Sequence, residues 1–243
     1  MTPILFFDFD DTLSEQIPFI VQYANHLGAA LAAAYGDEER RWTAQAVAML
    51  ITLEADYTTR FRGNPLNGYR AWLPTMLNRA TELMFTGMEV PLPADTLSVA
   101  LRMRAEALSH CDALFTGAKE MLHTVYHLGM PIHLASGNDS AHLLAALRGV
   151  GLDSLVDGFY GPDLIDCAKE GPEFFAGVLS ATGTAPMDAL FIDNDPVAIG
   201  WARASGAQAI QVQLLTHHPV EPAAGVRAVV TDLSALSDIL AQG

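Results

Sequence analysis

The sequence predicts an α/β fold: a parallel sheet flanked by helices, with an all-helical segment inserted after the first strand. Three observations predict it. Short apolar runs at 4–7, 132–135, 189–192 and 209–215 have the length and the β-branched or aromatic content of buried strands. Helical stretches separate the last three runs, as in βαβ units. Between the first and second runs, roughly a hundred residues from Ser14 to Cys111 read almost entirely as helix.

The first run ends at Asp8 and suits a strand buried on both faces. Helices are predicted over 17–35, 38–61, 66–85 and 94–109, with breaks at Gly36-Asp37, Gly63-Asn64-Pro65 and Val90-Pro91-Leu92-Pro93. A structureless connection of that length is anomalous in a compact domain, so residues 15–111 are expected to form a subdomain planted in a core made of 1–14 and 112–243. In the core, Met121, Leu122, Val125 and Leu128 mark one face of a helix over 119–128, and Gly129 stops it. Stretches 140–150 and 174–179 read similarly, and a helix through 201–205 closes at Gly206. There is no internal repeat.

The chain has 243 residues, 51% of them hydrophobic, which is enough for a sizeable core. Thirteen basic against 28 acidic side chains leave a net charge of −15. That balance argues against generic binding to nucleic acid or to an anionic membrane, because phosphates attract Lys and Arg. Cys111 and Cys167 are too few for a disulfide framework and lack metal-ligand spacing. No apolar stretch is long enough for a membrane span, and MTPILFFDFDDTL lacks a basic leader, so a cytoplasmic location is expected.

Four segments carry chemistry. Asp8-Phe9-Asp10-Asp11-Thr12 follows a predicted strand, which puts carboxylates at the end of a parallel sheet where ligand crevices form. Leu134-Ala135-Ser136-Gly137-Asn138 precedes a helix whose N-terminus offers unpaired N–H donors to an anion. Lys169, one of two lysines in the chain, stands just before a helix started by Pro172. Phe191-Ile192-Asp193-Asn194-Asp195 again sets carboxylates after a strand, and oxygen ligands of this kind suit Mg²⁺. Taken one at a time, three of these segments also read as ordinary turn and helix-cap chemistry, and Lys169 as a solvated surface lysine.

Together these motifs resemble the haloacid dehalogenase (HAD) superfamily of hydrolases, over nearly the whole length. The resemblance implies a Rossmann-like core, with the helical insertion acting as a C1-type cap over the catalytic face. It makes Asp8 the nucleophile that becomes an aspartyl phosphate, Asp10 the general acid/base, and Lys169 the cation between nucleophile and phosphate. Thr12, Ser136, Gly137 and Asn138 match the phosphate-binding positions. Asp8, the main-chain carbonyl of Asp10, and Asp193 match the Mg²⁺ ligands, with Asn194 or Asp195 as further candidates. Many members carry another carboxylate four or five positions on, where this chain has Val197 and Ala198. Dehalogenating members lack a carboxylate at the position of Asp10. The expectation is therefore a Mg²⁺-dependent phosphatase acting on a small phosphorylated metabolite. The alternatives are a phosphomutase and a phosphate-binding protein whose catalysis has lapsed.

Within the insertion, Arg60, Arg62, Arg70 and Arg79 surround the Gly63-Asn64-Pro65 break, near Tyr57, Tyr69 and Trp72. They suit either a pocket for a second anionic group of the substrate or surface pairing with Glu54, Asp56 and Glu82. His123 and His127 are spaced like two ligands on a helix but lack a third, which favours surface or packing roles. His217-His218 falls in a loop expected near the catalytic rim.

Overall fold

The computed structural model describes residues 2–215 and 221–241. His217 and His218 lie outside the described residues. Strand β1 (Ile4–Phe7) is followed by four helices: α1 (Gln16–Tyr35), α2 (Glu39–Phe61), α3 (Tyr69–Gly87) and α4 (Thr96–Leu108). The chain then runs through α5 (Ala118–His127), β2 (Ile132–Ala135), α6 (Ser140–Gly149), β3 (Gly158–Tyr160), α7 (Pro162–Ile165) and α8 (Pro172–Thr182). It ends with β4 (Ala189–Asp193), α9 (Pro196–Ala204), β5 (Gln208–Val212), β6 (Ala228–Val230) and α10 (Leu233–Ala241).

The six strands form one sheet in the order β3-β2-β1-β4-β5-β6, and every pairing is parallel. The chain fills one half of the sheet and then the other, so the order reverses between β1 and β4, the place where open α/β sheets leave a crevice. Register sets what faces that crevice. Phe7 pairs with Leu134 on one side and Ile192 on the other, which brings Asp8 level with Ala135 and Asp193. The Asp8 amide donates to the Ile192 carbonyl at 2.9 Å, carrying the β1–β4 ladder one residue past the strand.

Alternation along the strands builds two cores. Leu5, Phe7, Leu190 and Ile192 join one apolar cluster with α5, α6 and α10, while Phe6, Ala189 and Phe191 join another with α8 and α9. Helices α1 to α4 have an apolar cluster of their own around Trp42, Leu31, Met84 and Phe85. A small fourth cluster, Phe61, Tyr69 and Ala168 with Tyr57 and Trp72 against it, joins these helices to the loop that carries Lys169.

Two strands go beyond the four that sequence periodicity predicts. β3 and β6 are three residues each and flank the sheet as edges, and β3 is half-buried throughout, so neither makes a continuous apolar run. Helix α3 begins at Tyr69, later than the expected 66, because Gly68 takes the left-handed conformation (φ 68°) immediately before it. Among the described residues no helix is long and apolar enough to cross a membrane.

The loop after β2 is pressed against Gly161. A Cβ there would stand 2.4 Å from the Asn138 carbonyl oxygen and 2.7 Å from the Asp139 Cα. Gly161→Ala is expected to displace that loop and to lower stability by about 1–3 kcal/mol, read by urea denaturation; an unchanged midpoint would mean the loop yields freely.

Candidate active site

Three strand ends and one loop build the site. Asp8 follows β1 and is 6% exposed, and Asp193 ends β4 and is 3% exposed. The Lys169 ammonium, from the loop between α7 and α8, lies 2.6 Å from Asp8 Oδ1 and 2.7 Å from Asp193 Oδ2. Burial pulls the lysine's pKa down, but Asp193 and Asp8 together outweigh it and hold it above the ordinary value. Burial pushes Asp8 up despite Lys169, and Asp193 and Asp10 add repulsion.

Asp10 reaches the same place by a turn. Asp11 adopts φ 53°, in the left-handed region that Asp tolerates, and the chain doubles back so that Thr12 returns beneath Asp8. Burial pushes the Asp10 carboxyl up to about 6, with Asp11 adding to the rise, while the hydrogen bond from Asn138 Nδ2 to Asp10 Oδ2 at 2.8 Å restrains it. Such a carboxyl exchanges a proton near neutrality.

Asp8, Asp10, Asn194, Asp195, Gly137 and Lys169 line one recess of about 240 Å³. Ser136 is buried, and its Oγ accepts from the Asn138 amide at 3.4 Å. Thr12 is wholly buried; its hydroxyl lies 3.3 Å from both Asp8 Oδ2 and Asn194 Oδ1. It therefore orients the carboxylate and does not face a phosphate, which corrects its expected role. The Asn138 side-chain amide is likewise committed to Asp10, and of this segment Gly137 lines the recess. Asp195 caps α9 through Val197, and its own N–H donates to Asp193 Oδ1 at 2.9 Å. The polar atoms around Asp193 thus come from Lys169 and the backbone.

Among the described residues no three His, Cys, Asp or Glu side chains gather as metal ligands. His123 and His127 are both exposed on α5. The donor chemistry of the recess nevertheless fits a hard cation. Three carboxyl groups, Asp8, Asp10 and Asp193, face the single ammonium of Lys169, and the oxygens of Asp8, Asp193 and the Asp10 main chain are the donors such an ion takes.

The four arginines that suited either an anion pocket or surface pairing make their contacts away from the recesses. Arg70 donates from Nε and a terminal nitrogen to the Asp163 and Leu164 carbonyls at 2.9 and 2.8 Å, fastening α3 to α7. Arg60 donates to the Asn67 carbonyl and lies over the Phe61 ring, Arg62 is exposed, and Arg79 pairs with Glu82 at the surface. None of the four lines a recess at the site. The arginine that does is Arg104 of α4, which sequence reading passed over. It bonds both carboxylate oxygens of Asp139, and Asp139 caps α6 through the His142 amide at 3.1 Å. An arginine in an amphipathic helix, with Arg102 two positions before it, carries no signal of this role. His142 is kept neutral, its pKa pushed down to about 3 by burial and then by Arg104, and its Nε2 is buried without a hydrogen-bond partner.

A protein family described as haloacid dehalogenase-like hydrolase matches residues 2–206. Validoxylamine A 7'-phosphate phosphatase of Streptomyces hygroscopicus subsp. limoneus is 26% identical over 118 residues, which cover 49% of this chain and 54% of that protein. The match thus spans about half the length of that curated relative. Among solved structures, the HAD-hydrolase YfnB from Bacillus subtilis, bound to magnesium, superposes with a TM-score of 0.64 at 17% identity over 98% of each chain. The L-2-haloacid dehalogenase from Xanthobacter autotrophicus gives 0.61 at 18% identity, over 100% of this chain and 99% of that one. At such identities the two structures speak for the fold.

Burial alone would raise the Asp139 carboxyl, but the Arg104 guanidinium outweighs it and holds the group below its ordinary 3.8. Its contribution to stability is thus complete above that ordinary value and is lost as pH falls through the lower folded one. Arg104→Ala, which strands a buried carboxylate, is expected to destabilise by about 3–5 kcal/mol at neutral pH. Urea denaturation should show the gap to wild type narrowing below the ordinary carboxylate pKa; a gap independent of pH would mean the pair is not the cause.

Proposed function

The chain belongs to the haloacid dehalogenase-like hydrolases, and from that premise we propose that it is a Mg²⁺-dependent phosphatase of small phosphorylated metabolites. The observation that carries the reading is Asp10, a carboxyl pushed up to about 6 beside the buried Asp8. A halide leaves carbon as a very weak base and needs no proton. An alkoxide leaving phosphorus does, and Asp10 is poised to give one. The partial likeness to validoxylamine A 7'-phosphate phosphatase points the same way.

Asp8 attacks phosphorus, the bond from phosphorus to the ester oxygen breaks, and Asp10 protonates the departing oxygen to release the alcohol. Asp10, now a carboxylate, takes a proton from water as that water attacks the aspartyl phosphate. The bond between phosphorus and Asp8 then breaks, leaving inorganic phosphate and free Asp8. Lys169 keeps Asp8 and Asp193 from repelling each other, while Gly137 in the recess and Ser136 beside it would supply donors to the phosphoryl oxygens. A Mg²⁺ ion held by Asp8, Asp193 and the Asp10 carbonyl supplies charge neutralisation to the phosphoryl group when bound.

Asp8→Asn is expected to reduce phosphate release from an aryl phosphate by about 10³-fold or more while the protein stays folded, as circular dichroism would report. Retained turnover would remove Asp8 from the nucleophile's role. Asp10→Asn should behave differently, because an aryloxide leaves without help. The phosphoenzyme should form and then persist, detectable as acid-stable label from ³²P substrate; a variant without label would contradict the water-activating role. Chelation should stop release, and added Mg²⁺ should restore it.

A further inference from the structure

A second cavity, of about 400 Å³, lies between the helical insertion and the loop after β2. It shares Asp10, Gln16, Tyr57 and Gly137 with the recess that holds Asp8 and Lys169, so the two adjoin across those residues. Its walls are mostly hydrocarbon and aromatic: Phe19 and Tyr23 of α1, Leu50 and Leu53 of α2, Trp72 and Leu77 of α3. A phosphoryl group at Asp8 would therefore leave the organic part of its ester among these side chains.

The charges on the wall are lopsided. Asp10, Glu54 and Asp139 are acidic, and the one cation, Arg104, is bound to Asp139 through both carboxylate oxygens. His142 adds no charge. A substrate bearing a second anion would meet repulsion and no free cation, and a polyhydroxylated body would lose water to walls more apolar than polar, whose polar groups include Gln16, Glu54, Asn138 and three tyrosines. Apolar surface would be favoured.

We infer that the cavity selects phosphate monoesters whose alcohol portion is apolar, aromatic or branched aliphatic, and rejects those with a second anionic group. This rests on the phosphatase reading above and adds the substrate class to it. The cavity volume admits a body of about ten heavy atoms with room to spare.

Three primary alkyl esters separate the possibilities, since their intrinsic reactivities are similar: 2-phenylethyl phosphate, glycerol 3-phosphate and 3-phosphoglycerate. With the full chain and Mg²⁺, kcat/KM for phosphate release is expected to be about tenfold or more higher for the phenylethyl ester than for glycerol 3-phosphate. 3-Phosphoglycerate should be the poorest. Equal rates, or a preference for either polar ester, would overturn the assignment of the cavity while leaving the phosphatase reading intact. No release from any of the three would overturn both. Leu53→Lys supplies the second test, because its ammonium can extend into the cavity from a half-buried position. The ratio of kcat/KM for the phenylethyl ester to that for 3-phosphoglycerate should fall about tenfold or more in a variant whose melting shows it folded. An unchanged ratio would remove the cavity from substrate selection.

Discussion

The architecture of the site depends on one ammonium set between two nearly buried carboxylates at the ends of adjacent strands. Parallel pairing of β1 with β4 brings Asp8 level with Asp193, and two carboxylates so placed repel in a medium that screens poorly. Lys169 makes the arrangement tenable by touching both. It answers for only part of the negative charge, because Asp10 adds a third carboxyl. Burial raises both Asp8 and Asp10, with Asp193 and Asp10 adding repulsion at Asp8 and Asp11 at Asp10, and the surplus of carboxylate makes the recess suited to a further cation. The site is thus held in tension by the fold that builds it.

Holding Lys169 in place is the task of residues far from it in sequence. The Ala168 amide donates to the Pro65 carbonyl at 2.8 Å, and Ala168 packs under Phe61 and Tyr69. Arg70 binds the carbonyls of α7 a few residues earlier. The helical insertion thereby fixes the loop from which the ammonium projects. On the other side, Arg104 joins α4 to the cap of α6, the helix that follows the Ser136 segment. Two of the four chemical segments are braced by the insertion, one on each side of Asp8.

How much of this could be read from sequence follows from what each feature rests on. The strands β1, β2 and β4 are buried on both faces, so apolar runs marked them, and carboxylates at their ends stood out for the same reason. β3 and β6 are short edges with mixed exposure, and no periodicity survives in three residues. Among site residues, Asp8, Asp10, Lys169 and Asp193 fall together in space. Thr12 and Asn138 were placed in the right neighbourhood but turned toward other side chains, because a motif names positions and not the direction of a hydroxyl or an amide.

The arginines show why charge along a chain is a poor guide to charge in a cavity. Four of them near one loop suited an anion pocket or surface pairing, and a guanidinium at a helix surface takes whatever carbonyl or carboxylate is near, as Arg70 and Arg79 do. Burying one is different, because its desolvation must be offset by a partner with matching geometry. Arg104 meets that condition only through Asp139, some 35 residues away on another element. The pairing is invisible to local spacing, and it leaves the cavity wall without free positive charge. On the phosphatase reading proposed above, a cavity whose single cation is already spent on a structural carboxylate would offer an ester's organic part a wall more apolar than polar, and leave polar recognition chiefly to the phosphoryl group.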